Sequence, residues 1–487
     1  MIRLSKSKIL SHQQCPKRLW LENNRPDLIE EDVSSAMAMA SGHEVGEVAR
    51  RLFPGGIMID ADNLAQAILD TRDAVETYPN KPIYEATFQH EGVLVRADIL
   101  LPEKKGSYSL IEVKSATSVK DYYYHDIAIQ SAVTEASGIN LEHIELAHID
   151  NTFIYPGNSD YQGLLKRVDV SYQVQSLKSL VPTWVQAARD TLSGAEPEMA
   201  TGHQCNNPYS CPFQGYCNPL DLSSFPVELL PGIREKAVQE LKGQGFSDIR
   251  CIPPGILMNE RQELVRRATS TGQPVFNLNA TQELMDKLSY PRYFIDFETI
   301  NPAIPLWQGS RPYQQIPFQW SCHIQRKNGE LRHESWLATG HSDPRKEFAE
   351  TLIAAVRSRG PILVYNAAFE SSRLRELSNH LPNLAEQLRA IIERIVDLLP
   401  ITREHYYHPE MRGSWSIKAV LPTLAPELSY ANLAVADGGM AQDAFYEILE
   451  PCTEESRKEQ LRLQLLEYCE RDTFAMVRLA NFFAGEK

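Results

Sequence analysis

The chain has 487 residues, of which 43% are hydrophobic and 23% are charged, a composition typical of a globular protein. At about 150 residues a domain, this length predicts about two to four domains, each large enough to bury its own core. The formal net charge of −14 argues against a protein that coats DNA nonspecifically, because phosphate contacts need Lys and Arg at the contact face.

Signals that direct a chain to a membrane are missing from the sequence. The apolar runs fall short of the roughly 18 residues that a membrane span requires. The first residues, MIRLSKSKILSHQQC, lack the apolar core of a signal peptide. We therefore expect a cytoplasmic protein with no membrane partner.

Two predicted helices precede the first strands. One runs from Ser5 to Leu21 and carries Cys15, and another, in SGHEVGEVARRLF, carries His43. The stretch VRADILLPEKKGSYSLIEVK then predicts two antiparallel strands, because two short β-prone runs flank a basic turn that contains glycine.

Three charged residues lie on this predicted hairpin. Asp98 is on the first strand, and Glu112 and Lys114 are two residues apart on the second, so their side chains share a face. Two carboxylates beside an ammonium group can hold a divalent cation that polarises a phosphate. A hairpin whose ion pair faces water would carry the same residues.

Four of the eight cysteines have a suggestive context. In a cytosolic chain cysteines are more often free thiols or metal ligands than disulfides. Three of them are spaced six residues apart in the polar loop HQCNNPYSCPFQGYC, and one stands alone near the start. These four are Cys15, Cys205, Cys211 and Cys217. The other four lack a ligand signal and are predicted to be structural; they are Cys251, Cys322, Cys452 and Cys469.

The pattern Asp98, Glu112-x-Lys114 resembles the core of PD-(D/E)XK nucleases, and the cysteines resemble those of the RecB-like branch that carries an iron–sulfur cluster. The resemblance implies that the four cysteines bind a [4Fe-4S] cluster, with Zn as the alternative. It also implies that His43 is a further metal ligand and that Gln130 follows the site on a helix, although Thr134 stands where the branch has tyrosine. Residues 1–220 are accordingly predicted to form an α/β, restriction-endonuclease-like (PD-(D/E)XK) domain.

In residues 221–287, short predicted helices alternate with breaks at Pro and Gly. This pattern predicts a helical linker. The pieces LPGI and GFSDI resemble helix-hairpin-helix modules, whose backbone amides bind DNA phosphates. A plain helical connector is the alternative.

Acidic residues return in the last part of the chain. Asp296 and Glu298 share one face of the buried strand YFIDFET, where carboxylates are costly unless a cation or a partner neutralises them. Glu370 follows the strand of PILVYNAAFESSRLREL. Tyr468 and Asp472 are four residues apart and share one face of the helix LLEYCERDTFAMVRLANFF.

This set resembles the DEDD exonucleases of the RNase H-like fold, in the tyrosine subtype (DEDDy). The resemblance implies that the acids hold two divalent cations, Mg²⁺ or Mn²⁺, and that the tyrosine positions the nucleophile. The third acid is usually aspartate, whereas Glu370 stands here and Asp397 is the alternative; Lys418 is a candidate contact to the substrate backbone. Residues 288–487 are therefore predicted to form an RNase H-like exonuclease domain. The implied ligands are Asp296, Glu298, Glu370 and Asp472.

Together these resemblances predict a metal-dependent nuclease with two active sites that cleaves DNA, with single strands or ends favoured. DNA repair, end processing or defence against foreign DNA would be its setting. The sequence has no G-x-x-x-x-G-K-[ST] motif, so a helicase partner would be a separate chain. The alternatives are a nucleic-acid-binding scaffold with one or both sites inactive, and an exoribonuclease that acts through the C-terminal domain.

Overall fold

Two units, each of mixed α/β structure, divide the chain. The computed structural model describes residues 3–30, 33–61, 63–219 and 224–486. The first unit consists of Met1–Leu220 and Pro302–Gln314, and the second of Asp221–Asn301 and Gln315–Lys487. The domain boundary predicted between residues 220 and 221 falls on 220–223, which lie outside the described residues. Within the described part of the chain, no helix combines the length and the apolar character that a membrane span needs.

Seven strands and eight α-helices make up the described part of the first unit. The strands are β1 (Leu4–Ser5), β2 (Ile57–Met58), β3 (Ile83–His90), β4 (Val93–Pro102), β5 (Tyr108–Lys114), β6 (Leu141–Ile149) and β7 (Leu165–Asp169). The helices are α1 (Lys6–Gln14), α2 (Pro16–Asn24), α3 (Val33–Leu52), α4 (Leu64–Thr77), α5 (Asp121–Ala136), α6 (Ser171–Lys178), α7 (Val181–Ser193) and α8 (Gln214–Cys217).

One mixed sheet gathers these strands in the order β2-β3-β4-β5-β6-β7, with β1 parallel to β4. β4 and β5 form the predicted antiparallel hairpin, in which Ile99 pairs with Ile111 and Leu101 with Ser109. β6 runs parallel to β5. Buried apolar side chains of β3, β4 and β5 form one cluster with those of α4 and α5. The strands that carry the charged residues are therefore held from one side by α5.

The helix predicted from Ser5 to Leu21 is broken at Cys15. α1 begins after Ser5, whose Oγ accepts a hydrogen bond from the Lys8 amide at 3.3 Å. Cys15 has extended backbone angles, φ −163° and ψ 120°, and α2 begins at Pro16. Proline disfavours helical geometry in the residue before it, and this explains the break. Cys15 thus lies at the junction of two short helices.

In its described residues the second unit has ten α-helices and seven strands. The helices are α9 (Glu235–Gly243), α10 (Glu260–Thr271), α11 (Leu278–Asp286), α12 (Arg345–Val356), α13 (Ala367–His380), α14 (Ala385–Ile392), α15 (Leu398–His405), α16 (Ile417–Leu424), α17 (Gly438–Leu449) and α18 (Glu455–Phe483). The strands are β8 (Val275–Phe276), β9 (Arg292–Ile300), β10 (Ile316–Gln325), β11 (Leu331–Leu337), β12 (Ile362–Val364), β13 (Ile395–Asp397) and β14 (Tyr406–Tyr407).

Five of these strands form a mixed sheet in the order β11-β10-β9-β12-β13. The central strand, β9, is antiparallel to β10 and parallel to β12. Phe294 packs with apolar residues of α18, whereas Ile295 and Phe297 pack with those of α12. The side chains of β9 therefore alternate between the two faces of the sheet, as its sequence predicts. β8 and β14 form a separate two-stranded sheet.

The segment predicted as a helical linker, 221–287, belongs to the second unit. Its described residues include α9, α10, β8 and α11. Val238, Val265 and Met285 are buried in the same apolar cluster as Leu479 and Phe483 of α18. These helices therefore contribute to the core of the unit instead of forming an extended connector.

The connection from β9 to β10 contains Pro302–Gln314, a segment that belongs to the first unit. Ala303 and Ile304 pack with Val45 and Ile149 in an apolar cluster of that unit. The continuous third domain predicted from the sequence, 288–487, is therefore interrupted in the structure, because this short segment buries its apolar side chains elsewhere.

Candidate functional site

Asp98 and Glu112 meet where β4 and β5 stop pairing. The pairing of the two strands ends at Ile99 and Ile111, so Asp98 and Glu112 are the next residues on the two strands. The Val113 amide donates a hydrogen bond to Asp98 Oδ2 at 2.7 Å. Glu112 is buried, with 3% of its surface exposed. The hairpin thus brings both predicted carboxylates to one place.

Two lysines and a third carboxylate complete this cluster, which we call the Asp98 site. Lys114 Nζ lies 2.7 Å from Glu112 Oε1 and 2.5 Å from Asp126 Oδ2. Lys6 Nζ lies 2.9 Å from Glu112 Oε1 and 2.8 Å from Asp126 Oδ1. The site is defined by Asp98, Glu112, Lys114, Lys6 and Asp126.

Sequence reasoning missed Lys6 and Asp126. Asp126 precedes Gln130 by four residues, and this spacing places both on one face of α5. The spacing could therefore have identified Asp126 as a site residue from the sequence. Lys6 is 106 residues away from Glu112 in sequence, and no local pattern pointed to that contact.

Gln130 contacts the Asp98 site directly. Its Nε2 donates to Glu112 Oε2 at 2.6 Å and lies 3.1 Å from Asp126 Oδ1, and the side chain is fully buried. Thr134 is also fully buried one turn further along α5. This chain has Thr134 where the RecB-like branch has tyrosine, and the contact between Gln130 and Glu112 is nevertheless present.

The carboxylates of this site have opposite protonation tendencies. Burial raises the pKa of Asp98 to about 8, and the neighbouring charge of Glu112 adds to the rise. Burial also acts to raise the pKa of Asp126, but attraction from Lys6 and Lys114 outweighs it and holds the pKa below its usual range. Asp98 is thus a carboxyl group that a divalent cation could deprotonate by binding.

The structure places His43 away from the contacts of the Asp98 site. Its side chain is 75% exposed, and its Nε2 lies 3.5 Å from Glu47, one turn further along α3. Glu85 of β3 lies close enough to the Asp98 site for the charges of Glu112 and Lys6 to act on its carboxyl group. It has a positive φ of 57° and pairs with Arg50 at 3.5 Å. The role of His43 as a metal ligand stays a prediction.

The four predicted cluster cysteines line one small cavity in the first unit. Burial raises the pKa of the Cys211 and Cys217 thiols, and Cys15 and Cys205 lie close enough to add to the rise. The fold thus places Cys15 beside the three other cysteines, which begin about 190 residues later in the sequence. Lys17 and Arg18 of α2 line the same cavity and would favour the thiolate forms.

The four thiols gathered around this cavity could hold either a single metal ion or a metal cluster. Zinc binds four thiolates at about 2.3 Å each. A [4Fe-4S] cluster is likewise held by four thiolates. Both groups therefore fit this set of donors.

A second acidic cluster, which we call the Asp296 site, lies on the central strand of the second unit. Asp296 and Glu298 of β9 and Cys469 of α18 have ligand atoms that all lie within 4.8 Å of one another. Cys469 Sγ is 3.9 Å from Asp296 Oδ2. Cys469 was predicted from the sequence to be a structural cysteine. Its thiol instead lies beside the carboxylates of Asp296 and Glu298.

Helix α18 adds Asp472 and Tyr468 to the Asp296 site, and both side chains are buried. Tyr430 donates a hydrogen bond from its hydroxyl to Asp472 Oδ1 at 2.6 Å. Lys418 Nζ lies 4.9 Å from the ring centre of Tyr468 and 5.5 Å from that of Tyr430, and it donates to the Ala436 carbonyl at 2.8 Å. Tyr430 was not singled out from the sequence, because it lies outside every motif.

Glu370 and Asp397 have different surroundings. Both oxygens of Asp397 accept backbone hydrogen bonds, from Asn366 at 3.0 Å, Ala367 at 2.9 Å and Leu399 at 2.9 Å, so Asp397 caps α13 and α15. Glu370 is 2% exposed, and its Oε2 has no hydrogen-bond partner among the described residues. Glu370, rather than Asp397, has a carboxylate oxygen available to a cation.

The acids of the Asp296 site are electrostatically coupled. Burial raises the pKa of Asp296 well above its usual value, and Asp472, Glu298 and Glu370 add to the rise. Burial also raises the pKa of Glu298 and of Glu370 to about 8, and that of Asp472 to about 6. Buried carboxylates at this density need protons or cations, and oxygen donors suit Mg²⁺ or Mn²⁺.

Comparisons with known proteins give similarity without a function. A family model described as a domain of unknown function, DUF2779, matches residues 293–416, a stretch that includes Asp296, Glu298 and Glu370. An uncharacterized protein of Mycoplasma pneumoniae, the MG366 homolog, is 28% identical over 223 residues, which are 42% of this chain and 34% of the relative. The uncharacterized protein MG366 of Mycoplasma genitalium is 26% identical over 223 residues, 42% of this chain and 33% of the relative.

A third relative is the uncharacterized protein UU173 of Ureaplasma parvum, 27% identical over 245 residues, 44% of this chain and 35% of the relative. The chain spans about a third of the length of the curated relatives it matches. A solved structure described as the crystal structure of SSO0001 covers 44% of this chain and 85% of its own, at 15% identity and a TM-score of 0.24.

Proposed function

We propose that the chain is a metal-dependent nuclease with two active sites, one in each unit. The observation that carries the proposal is the convergence of buried and half-buried acids at the Asp98 site and at the Asp296 site, where they come from β9, α13 and α18. A cluster of this kind is costly in a folded protein unless cations bind it. When bound, Mg²⁺ or Mn²⁺ would polarise the scissile phosphate and lower the pKa of an attacking water.

In the first unit, Asp98 and Glu112 would hold the cation, and Lys114 would supply positive charge to the phosphate. Lys114 lies 2.7 Å from Glu112 and 2.5 Å from Asp126, so its ammonium group is fixed beside the carboxylates. Lys6 balances the remaining negative charge through Asp126 at 2.8 Å. We assign this unit to the RecB-like PD-(D/E)XK nucleases.

In the second unit, Asp296, Glu298, Glu370 and Asp472 would hold the cations. Tyr468, which is 4% exposed, would orient the attacking water or the phosphate from its place one turn before Asp472. Lys418 would offer its ammonium group to the backbone of the nucleic acid. We assign this unit to the RNase H-like exonucleases of the DEDDy type, acting from the 3′ end.

The four cysteines would hold a [4Fe-4S] cluster with a structural role. Cys15 stands at the start of the first unit, and the other three lie near the end of its main segment, so one cluster would tie these two parts together. Zinc is the alternative metal, because four thiolates can also bind a single zinc ion.

DNA with single-stranded regions or free ends is the substrate that we propose, in repair, end processing or defence against foreign DNA. A separate helicase or another repair or defence protein would supply such strands. The test is an assay of labelled single-stranded DNA, duplex DNA and single-stranded RNA with Mg²⁺ or Mn²⁺. Asp98→Asn and Asp296→Asn should each remove one cleavage activity, whereas Asp73→Asn and Asp286→Asn, at exposed sites on α4 and α11, should remove neither. Faster cleavage of RNA than DNA would instead identify an exoribonuclease.

A further inference from the structure

The first unit contains a cavity of about 440 Å³ beside the Asp98 site. This volume falls in the range of roughly 300–1,000 Å³ that is typical of small-molecule sites. Aromatic and imidazole rings make up much of its wall, together with the carboxyl group of Asp126. The rings are those of Tyr122, Tyr123, His125, His203 and Tyr209.

The aromatic wall is held in a defined arrangement. Tyr122 packs edge to face against Tyr123 and Tyr209, with ring centres 4.6 and 5.2 Å apart. Gln14 donates from Nε2 to the carbonyls of Gln204 and Tyr209, both at 2.7 Å, and so ties α1 to the cysteine loop. Tyr209 remains 52% exposed. The cavity is therefore largely formed before a ligand arrives, and one of its rings is accessible from outside.

Asp126 connects the cavity to the proposed chemistry. It lines the cavity and also binds Lys6 at 2.8 Å and Lys114 at 2.5 Å. Both lysines bind Glu112 in turn. A group that entered the cavity would thus lie one side chain away from the carboxylates of the Asp98 site, with two ammonium groups neutralising the acid in its wall.

We propose that this cavity binds one unpaired nucleobase of a single-stranded nucleic acid whose backbone crosses the Asp98 site. Every base presents a flat π-face, and stacking on aromatic side chains is how proteins bind single strands without sequence preference. The amides and imidazoles of the wall can donate to or accept from the edge of the base. A base inside a duplex cannot enter unless its pair is broken. The inference rests on the proposed nuclease function of the first unit and adds to it the place where one base of the strand is held.

The first experiment locates the base directly. A single-stranded oligonucleotide that carries one 5-iodouracil is irradiated with the full-length protein in the absence of divalent cations, and crosslinked peptides are identified by mass spectrometry. We expect crosslinks to the peptides that contain Tyr122 or Tyr209. The same base placed inside a duplex should give none at these peptides. Crosslinks from the single strand exclusively to other surfaces would overturn the proposal.

The second experiment measures how much the cavity contributes. Tyr122→Ala and Tyr209→Ala should weaken single-strand binding by about five- to 150-fold, the effect of losing one stacked base. Tyr172→Ala is the control, because Tyr172 is 90% exposed in the same unit and lies outside the cavity. A single abasic nucleotide at the crosslinking position should weaken binding to the wild type and have little further effect on Tyr209→Ala.

The two proposals fail in different ways. Wild-type cleavage of DNA with unchanged binding by Tyr122→Ala and Tyr209→Ala would overturn the base-binding role and leave the nuclease intact. A wild type that crosslinks at Tyr209 and cleaves no nucleic acid would overturn the nuclease role and support a single-strand binding site. Failure of the wild type to bind or cleave would overturn both.

Discussion

Gln130 donates a hydrogen bond to Glu112 Oε2 at 2.6 Å, while two lysines occupy the other oxygen of that carboxylate. Glu112 is therefore held by three donors, which fix its orientation toward Asp98. A side chain that orients a metal ligand typically contributes about 10- to 100-fold to metal affinity or activity.

Replacing Gln130 should thus weaken the proposed nuclease activity of the first unit without removing any proposed ligand. Gln130→Leu keeps the size of the side chain but leaves Glu112 Oε2 without its donor. We expect cleavage by the Asp98 site to fall about 10- to 100-fold, measured in an Asp296→Asn background so that the second site is silent. Gln66→Leu, which removes an exposed amide on α4, serves as the control. Full activity of Gln130→Leu would refute the orienting role.

Tyr430 should set the pH dependence of the proposed nuclease activity of the second unit. Burial raises the pKa of Asp472 to about 6, and the hydrogen bond from Tyr430 opposes that rise. Tyr430→Phe should raise this pKa further, so that Asp472 is deprotonated, and able to bind a cation, only at higher pH. The acid limb of the pH–rate profile should move to higher pH in an Asp98→Asn background. Tyr290→Phe, elsewhere in the same unit, should leave the profile unchanged.

The metal-free protein should lose stability as the pH rises. Glu298 and Glu370 have folded-state pKa values of about 8, raised from 4.5. Between pH 4.5 and about pH 8 these two side chains therefore hold more protons in the folded state than in the unfolded state. The free energy of unfolding then falls with increasing pH across this window. Thermal melts in EDTA at pH 5 and pH 8 measure the effect, and Mn²⁺ should reduce it.

The Glu298→Gln variant isolates the contribution of one acid to this pH effect. Without the buried charge, the metal-free variant should melt a few degrees higher than the wild type at pH 8, since about 1 kcal/mol corresponds to roughly 2–4 °C in a domain of this size. The difference should shrink toward pH 5, where Glu298 is already protonated in the folded state. Equal melting temperatures of the variant and the wild type at pH 8 would show that burying the Glu298 carboxylate does not destabilise the fold.

Cys15 should be required for the iron–sulfur cluster that we propose in the first unit. Protein purified without oxygen should be brown, with absorbance near ~400 nm and about four iron atoms per chain. Cys15→Ser should lose the colour and lower the melting temperature, whereas Cys251→Ser, at an exposed position in the second unit, should do neither. One zinc and no iron in the wild type would favour the alternative metal.

Local periodicity explains which site residues the sequence predicts. Asp296 and Glu298 alternate with apolar residues along one strand, and Tyr468 and Asp472 are one helical turn apart, so each pair can be read from a few neighbouring positions. Tyr430 reaches Asp472 across 42 residues, and no local pattern encodes such a contact.

Lys6 and Cys469 show two further reasons why some site residues could not be predicted from the sequence. Lys6 belongs to the Asp98 site because β1 lies parallel to β4, a pairing of a two-residue strand with no distinctive pattern. Cys469 looked structural because the two acids that it lies beside, Asp296 and Glu298, are on a different element. The interruption at Pro302–Gln314 was hidden for a similar reason, since apolar residues in a loop do not show which core they join.

Titration of the full-length protein with Mn²⁺ tests the central claim most directly, because it asks whether the two acidic clusters bind divalent cations. The wild type should bind Mn²⁺ at both places. Asp98→Asn with Glu112→Gln should remove the binding of the first unit, Asp296→Asn with Glu298→Gln that of the second, and the fourfold variant should retain neither. Equal Mn²⁺ binding by the wild type and the fourfold variant, with the fold intact by circular dichroism, would contradict the account.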